Sequence, residues 1–250
     1  MTVRSSGKAQ RRDLVPMVSV RYVDGSTCDI PFERLRAADF AESQPWRRVR
    51  SVHGMLHHSG EYASATTGGQ VVYESRLELA RLLLADCDTA VVDIFAQPCR
   101  VVARVDGRVR SHVPDFLLVM RRGTVRVVNV KPAERAQDPT IAEALAWPGR
   151  LVERHGWEYE VWTGADPVLL ENVRFLAGYR HPGMVPAEEI ERAWREVVDG
   201  EEMAVAERRL ADGGPREVAR PPLMALLWSG RLTTDLTRPL SGESVLQRCG

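Results

Sequence analysis

The stretch HVPDFLLVMRRGTVRVVNVKP, residues 112–132, decides how the rest of the chain is read. Two β-rich runs flank Arg121-Arg122-Gly123, a turn that folds TVRVVNVK back along HVPDFLLVM. Side chains alternate along a strand, so Asn129 and Lys131 share one face, while Val128 and Val130 take the other and point to the core. Asp115 follows Pro114 at the start of a strand. Antiparallel pairing of the two runs brings its carboxylate beside Asn129 and Lys131.

Upstream, VVDIFA (91–96), a Gln-Pro break and CRVVARV (99–105) lead to Asp106-Gly107, a strong hairpin signal whose return strand carries HVPDFLLVM. Before these comes a helix, RLELARLLLAD (76–86), made of strong helix formers behind Ser75 as N-cap. It brings Glu78 toward the site, and Glu74, one turn earlier, competes for the same place. Residues 17–23 and 28–32 read as a hairpin about an Asp-Gly turn, 32–40 as a short helix, 43–70 as an irregular connection and 1–15 as a flexible basic tail. Downstream, a helix is expected over 139–155 and a further buried strand in WEYEVWT (157–163). Helix, three strands, helix and strand make a mixed α/β core over 16–165 rather than a regular βαβ repeat.

Residues 166–250 change to helices, at 168–178, 187–198, 202–213 and, after Pro221-Pro222, 223–230. A helix closed by Gly230 and followed by a Thr-rich hairpin at 231–240 suits a winged-helix-like C-terminal domain; a plain helical dimerisation or docking domain is the alternative.

Thirty-four basic and 34 acidic residues cancel, so any nucleic-acid binding must come from local patches rather than a global field. Only Lys8 and Lys131 are lysines; the other 32 basic residues are arginine, which makes the placing of Lys131 informative. Cys28, Cys87, Cys99 and Cys249 have no zinc-ligand spacing and read as free thiols. The N-terminus lacks the apolar run of a signal peptide and no segment is long enough to span a membrane, so a cytoplasmic location is expected. His53, His57 and His58 cluster without carboxylate or thiol partners at metal spacing and read as loop histidines. The six tryptophans are scattered and read as core.

Hydrolysis of a phosphodiester needs a hard cation to hold a water and offset charge on the phosphate, and a positioned lysine can stabilise that charge. Singly, each residue has a bland reading: a solvated helix Glu, a Pro-Asp turn, a lysine at a strand end. In order, with the hairpin between them, they make a site.

SRLELA (75–80), QPCRV (97–101), HVPDF (112–116) and VVNVKP (127–132), with GEYASATTGGQVVYES (60–75) upstream, resemble the nuclease core of TnsA-like endonuclease subunits of heteromeric transposases, in the PD-(D/E)xK superfamily. The resemblance implies a restriction-endonuclease-like core with a winged-helix-like C-terminal region. It implies Mg2+, with Mn2+ able to substitute, on Glu78 and Asp115, and Lys131 assisting catalysis. Asn129 stands where the family usually has Glu or Gln; its amide oxygen makes it the third candidate ligand. The implied activity is cleavage of one strand of double-stranded DNA at transposon ends, beside a DDE-type transposase and an AAA+ ATPase. The alternatives are a non-catalytic DNA-binding or assembly subunit, another restriction or repair nuclease of the superfamily, and a winged-helix regulator with an α/β ligand domain.

Overall fold

The computed structural model describes residues 15–47 and 59–249. The basic tail, apart from Val15, and the three clustered histidines lie outside the described residues.

The elements in chain order begin with β1 (Met17–Arg21), β2 (Thr27–Pro31), β3 (Gly60–Ala63), β4 (Gln70–Tyr73) and α1 (Arg76–Cys87). Then come β5 (Val91–Ala96), β6 (Arg100–Val105), β7 (Arg108–His112), β8 (Phe116–Met120), β9 (Val125–Val130), α2 (Ala133–Ala136), α3 (Pro139–Arg154) and β10 (Glu158–Trp162). The C-terminal region adds α4 (Pro167–Leu176), α5 (Ala187–Glu196), β11 (Glu201–Glu202), α6 (Met203–Leu210), α7 (Arg220–Trp228), β12 (Leu232–Thr233) and β13 (Val245–Arg248).

Two four-stranded sheets form the α/β core, one antiparallel in the order β2-β1-β6-β7 and one mixed in the order β10-β9-β8-β5. In the mixed sheet β10 pairs with β9 in parallel, and β8 pairs antiparallel with both β9 and β5. The mixed sheet is covered on both faces. Phe116, Leu118, Val128 and Val130 pack into one hydrophobic cluster with Leu82 and Leu83 of α1, and Leu117, Val125 and Val127 into another with Val18, Phe40, Val101 and Trp147. Each fully buried aliphatic or aromatic side chain there contributes roughly 1.5–3 kcal/mol. This explains the near-continuous apolar run of β9.

Several sequence expectations change. HVPDFLLVM is not one strand: β7 belongs to the antiparallel sheet and β8 to the mixed sheet, and the chain crosses between them at Val113-Pro114-Asp115. Pro114 has no N–H to donate, so the ladder stops there. The short helix at 32–40 is a pair of 3-10 turns, Phe32–Arg34 and Ala37–Phe40. The connection at 43–70 contains β3, which forms a hairpin with β4. WEYEVWT supplies β10 at the sheet edge, with Glu158 and Val161 exposed, rather than a buried strand. Pro221 and Pro222 lie inside α7 rather than before it, in the first turn where a missing N–H costs no helical bond. The expected 231–240 hairpin is wider, with β12 pairing to β13 across residues 234–244.

α1 is buried around much of its girth because the sheet and α4 both pack against it. Its polar groups are paired to allow this: Arg81 makes a two-pronged ion pair with Glu160 of β10 at 3.0 and 2.9 Å. Asp86 accepts from Tyr62, Ser64 and the Ala65 and Thr66 amides of the β3–β4 hairpin. The cluster containing α1 continues through Val173, Leu176, Met203, Leu223, Leu226 and Leu246, so packing does not stop at residue 166. Among the described residues no helix is long and apolar enough to cross a membrane.

Candidate active site

The crossing from β7 to β8 builds the site. Asp115 immediately precedes β8; its N–H donates to the Val128 carbonyl (3.1 Å), and its own carbonyl accepts from Gln97 N–H (2.8 Å). The backbone is therefore fixed on both sides before the side chain does anything. The Asp115 carboxylate then turns onto β9: Oδ2 accepts from Val130 N–H at 2.7 Å and faces Lys131 Nζ at 3.4 Å. Among the described residues no donor is bonded to Oδ1. Lys131 Nζ also donates to the Val130 carbonyl (2.8 Å), and its own N–H bonds Trp162 O of β10 (3.0 Å), so both ends of the residue are held.

Glu78 comes from the first turn of α1. Ser75 and Glu78 form a reciprocal cap: Ser75 Oγ accepts from Glu78 N–H (3.1 Å), while the Glu78 carboxylate accepts from Ser75 Oγ (3.0 Å) and Glu74 N–H (2.8 Å). Burial pushes the Glu78 carboxyl above its ordinary range; the Glu74 N–H opposes this and the Asp115 carboxylate adds to it. Two acids thus crowd one place, an arrangement that a divalent cation relieves. Glu74 does not lie on the helix at all. It sits before the Ser75 cap and is ion-paired to Arg47 at 3.0 Å.

Glu78, Asp115 and Lys131 line one cleft of about 930 Å³, together with Glu74, Arg47, His112 and Arg135. Asn129 is buried, with 1% of its surface exposed, and is not part of the cleft wall. Its Oδ1 lies 2.7 Å from His112 Nε2, and its Nδ2 is buried without a hydrogen-bond partner among the described residues. His112 is the cleft residue that the sequence reading passed over. Burial holds its pKa below the ordinary imidazole range despite the contact with Asn129, so the ring is neutral near pH 7, and Trp147 packs edge-on against it at 6.1 Å.

Gln97, which does not line the cleft, was passed over too. It is buried in the left-handed region, φ 46°, where a residue other than glycine costs of order 1–3 kcal/mol. Its N–H holds Asp115 O, its carbonyl accepts from Trp46 N–H (2.8 Å), and its Oε1 accepts from Arg47 N–H (3.2 Å). One strained residue therefore ties Asp115 to the segment that carries Arg47. The tryptophans divide: Trp147 is core, whereas the half-buried Trp46 and Trp194 each carry two arginines over the ring.

The donor chemistry suits a hard cation. Magnesium commonly takes one or two carboxylates and keeps water for the rest of its shell, and Glu78 and Asp115 supply two in one cleft. Among the described residues no three His, Cys, Asp or Glu side chains are already gathered as a metal site.

No curated protein matches the chain. Residues 88–164 match the family model described as TnsA-like endonuclease N terminal, a span holding Asp115, Asn129 and Lys131 but not Glu78. Over that segment, which carries the crossing strands of the cleft, the chain is similar to the TnsA-like endonuclease family.

Proposed function

We propose that the chain is a metal-dependent DNA endonuclease subunit of a heteromeric transposase, hydrolysing one strand at transposon ends. The observation that carries this reading is the Asp115–Lys131 contact in a cleft shared with Glu78, within a TnsA-like segment. Glu78 and Asp115 are the ligands for Mg2+, with Mn2+ able to substitute; the bound cation would polarise the phosphate and lower the pKa of an attacking water. Lys131 is held so that its ammonium stays beside Asp115, where it can offset charge on a phosphate oxygen. Asn129 joins as a ligand only with its amide turned so that Nδ2 donates to His112 and Oδ1 takes the unpartnered position. Double-stranded DNA, a DDE-type transposase and an AAA+ ATPase are the partners, in the cytoplasm.

The C-terminal region fits a winged-helix-like module. After α4, its order is helix, strand, two helices and two strands, and its three-stranded sheet runs β11-β13-β12.

A second reading, a non-catalytic assembly subunit that keeps the nuclease fold, is favoured by Asn129 in place of Glu or Gln and by the use of the Glu78 carboxylate in the cap. Cleavage of duplex transposon ends, with Mg2+ or Mn2+ and with the transposase partner present, separates the two. Asp115→Asn keeps an acceptor for Val130 N–H but loses the charge, and it should abolish the cut assigned to this subunit. Equal cleavage by wild type and Asp115→Asn in the assembled complex refutes the catalytic reading.

A further inference from the structure

We propose that Arg21, Trp46 and Arg100 form a second DNA-backbone contact beside the cleft, gripping the duplex arm that leads away from the cut; this rests on the nuclease reading above. Arg21 and Arg100 each place the guanidinium carbon 4.9 Å from the centroid of the Trp46 ring. They reach it from one face of the antiparallel sheet. Ser19 of β1 pairs with Arg100 of β6, so Arg21, two residues along, is the diagonal neighbour of Arg100 on that face.

Neither guanidinium has a carboxylate within ion-pair distance among the described residues. The acid on the same face, Asp29 opposite Ser19, accepts from the Ser19 hydroxyl at 2.5 Å. Like charges at neighbouring cross-strand positions destabilise a sheet, so the pair has a local cost that an anion would remove.

The same motif occurs again and shows the contrast. Arg231 and Arg248 lie 4.8 and 4.0 Å from the Trp194 ring, but there Arg231 is clamped by both oxygens of Glu191 and Arg248 donates to the Val197 carbonyl. That stack is satisfied within the protein. The Trp46 stack presents charge that no carboxylate among the described residues compensates.

The stack is also rigidly related to the cleft. Gln44 N–H bonds Arg21 O (2.9 Å), Trp46 N–H bonds Gln97 O, and Gln97 N–H bonds Asp115 O. Arg47, next in the chain, already lines the cleft. Arginine is the residue suited to bidentate phosphate contact, and an indole beneath it fixes the fork without consuming its donors. In a chain of zero net charge, such a local pair is the form an electrostatic DNA contact must take.

The test is fluorescence anisotropy of the full chain on duplex DNA, with divalent metal chelated so that no cleavage occurs, across a salt series. Relative to wild type, Arg21→Gln/Arg100→Gln should lower the slope of log affinity against log salt by about 1.8, and weaken binding about 30-fold at 0.15 M salt. The loss should be the same on unrelated duplexes, since backbone contacts carry no sequence information. Arg122→Gln/Arg154→Gln, which removes two exposed arginines elsewhere, controls for net charge and should leave the slope unchanged. Unaltered slope and affinity in the Arg21/Arg100 variant, with wild type binding normally, overturn the inference while leaving the nuclease reading intact. A wild type that fails to bind duplex DNA at any salt overturns it too, and metal-dependent cleavage then judges the nuclease reading separately. Cooperative melting of each variant near the wild-type temperature confirms that the comparison is between folded proteins.

Discussion

Gln97 offers a prediction that can be worked closely, because two substitutions separate its backbone strain from its contacts. In Gln97→Gly the left-handed φ of 46° becomes free of strain, a gain of about 1–2 kcal/mol. Against this, the bond from Arg47 N–H to Oε1 is lost, about 0.5–1.5 kcal/mol, and glycine gains unfolded-state entropy worth roughly 0.5–1 kcal/mol. These nearly cancel, so the net loss in the glycine variant is the space left by the buried side chain, about 1–3 kcal/mol. Gln97→Ala loses the same bond and leaves nearly the same space but keeps the strain, so it should be less stable than the glycine variant by up to about 1.5 kcal/mol. The expected order, glycine more stable than alanine, reverses the order found in helix or strand interiors. Chemical denaturation of both variants measures it. Both should also lose cleavage activity, since the Arg47 segment is no longer fastened by the side chain to the residue that holds Asp115. An alanine variant as stable as the glycine variant, or more so, would show that Gln97 is not strained. Full activity in both would show that it does not position the cleft.

Two further substitutions test the packing around the site. Gly149→Ala puts a Cβ 2.8 Å from the Tyr159 ring, which cannot swing away because its hydroxyl donates to Leu145 O at 2.8 Å; a loss of about 1–3 kcal/mol is expected by thermal melting, relieved in Gly149→Ala/Tyr159→Leu. At Asp86, burial works to raise the pKa, but hydrogen bonds from Ser64, Thr66 and Tyr62 outweigh it and hold the carboxyl below its ordinary value. Because the folded value is the lower one, its contribution is full above the unfolded pKa of about 3.9 and is lost as pH falls through the folded value. Asp86→Asn should therefore cost stability at neutral pH and flatten the acid limb of the melting-temperature profile; an unchanged acid limb would remove Asp86 from the account.

Asp115 and Lys131 were legible because a turn and a period of two suffice to place them. Glu78 was legible through its cap, since Ser75 three residues earlier is both a helix start and its hydrogen-bond partner. His112 was not, because its partner Asn129 is on a strand of the other sheet and the intervening hairpin gives no sign of the crossing. Pro114 was the only local signal for that crossing, and a Pro beside an Asp reads equally well as a strand start. Gln97 was visible as punctuation before Pro98, but its hydrogen bonds to segments 18 and 50 residues away in sequence are tertiary facts. Trp46 resembled any other scattered tryptophan until two strands set arginines over it.

The C-terminal region sharpens where DNA contact must come from. In a winged-helix arrangement, the third helix is the one that enters the major groove. On the winged-helix reading, counting from α5, that helix is α7, and Arg220 is its single charged residue. Leu223, Met224, Leu226, Leu227 and Trp228 are all buried, in the cluster that also contains Leu82 of α1 and Phe116 and Val130 of the mixed sheet. A helix whose apolar side chains are packed against α4, α5 and β12 has none of them left to read base edges. Arg220 itself is held by Glu207 at 2.7 Å. The region's packing on the helix that delivers Glu78 comes instead through α4, which lies against α1. On the proposed nuclease reading, DNA contact then falls to the cleft lined by Asp115, Lys131 and Arg47 and to the arginines over Trp46.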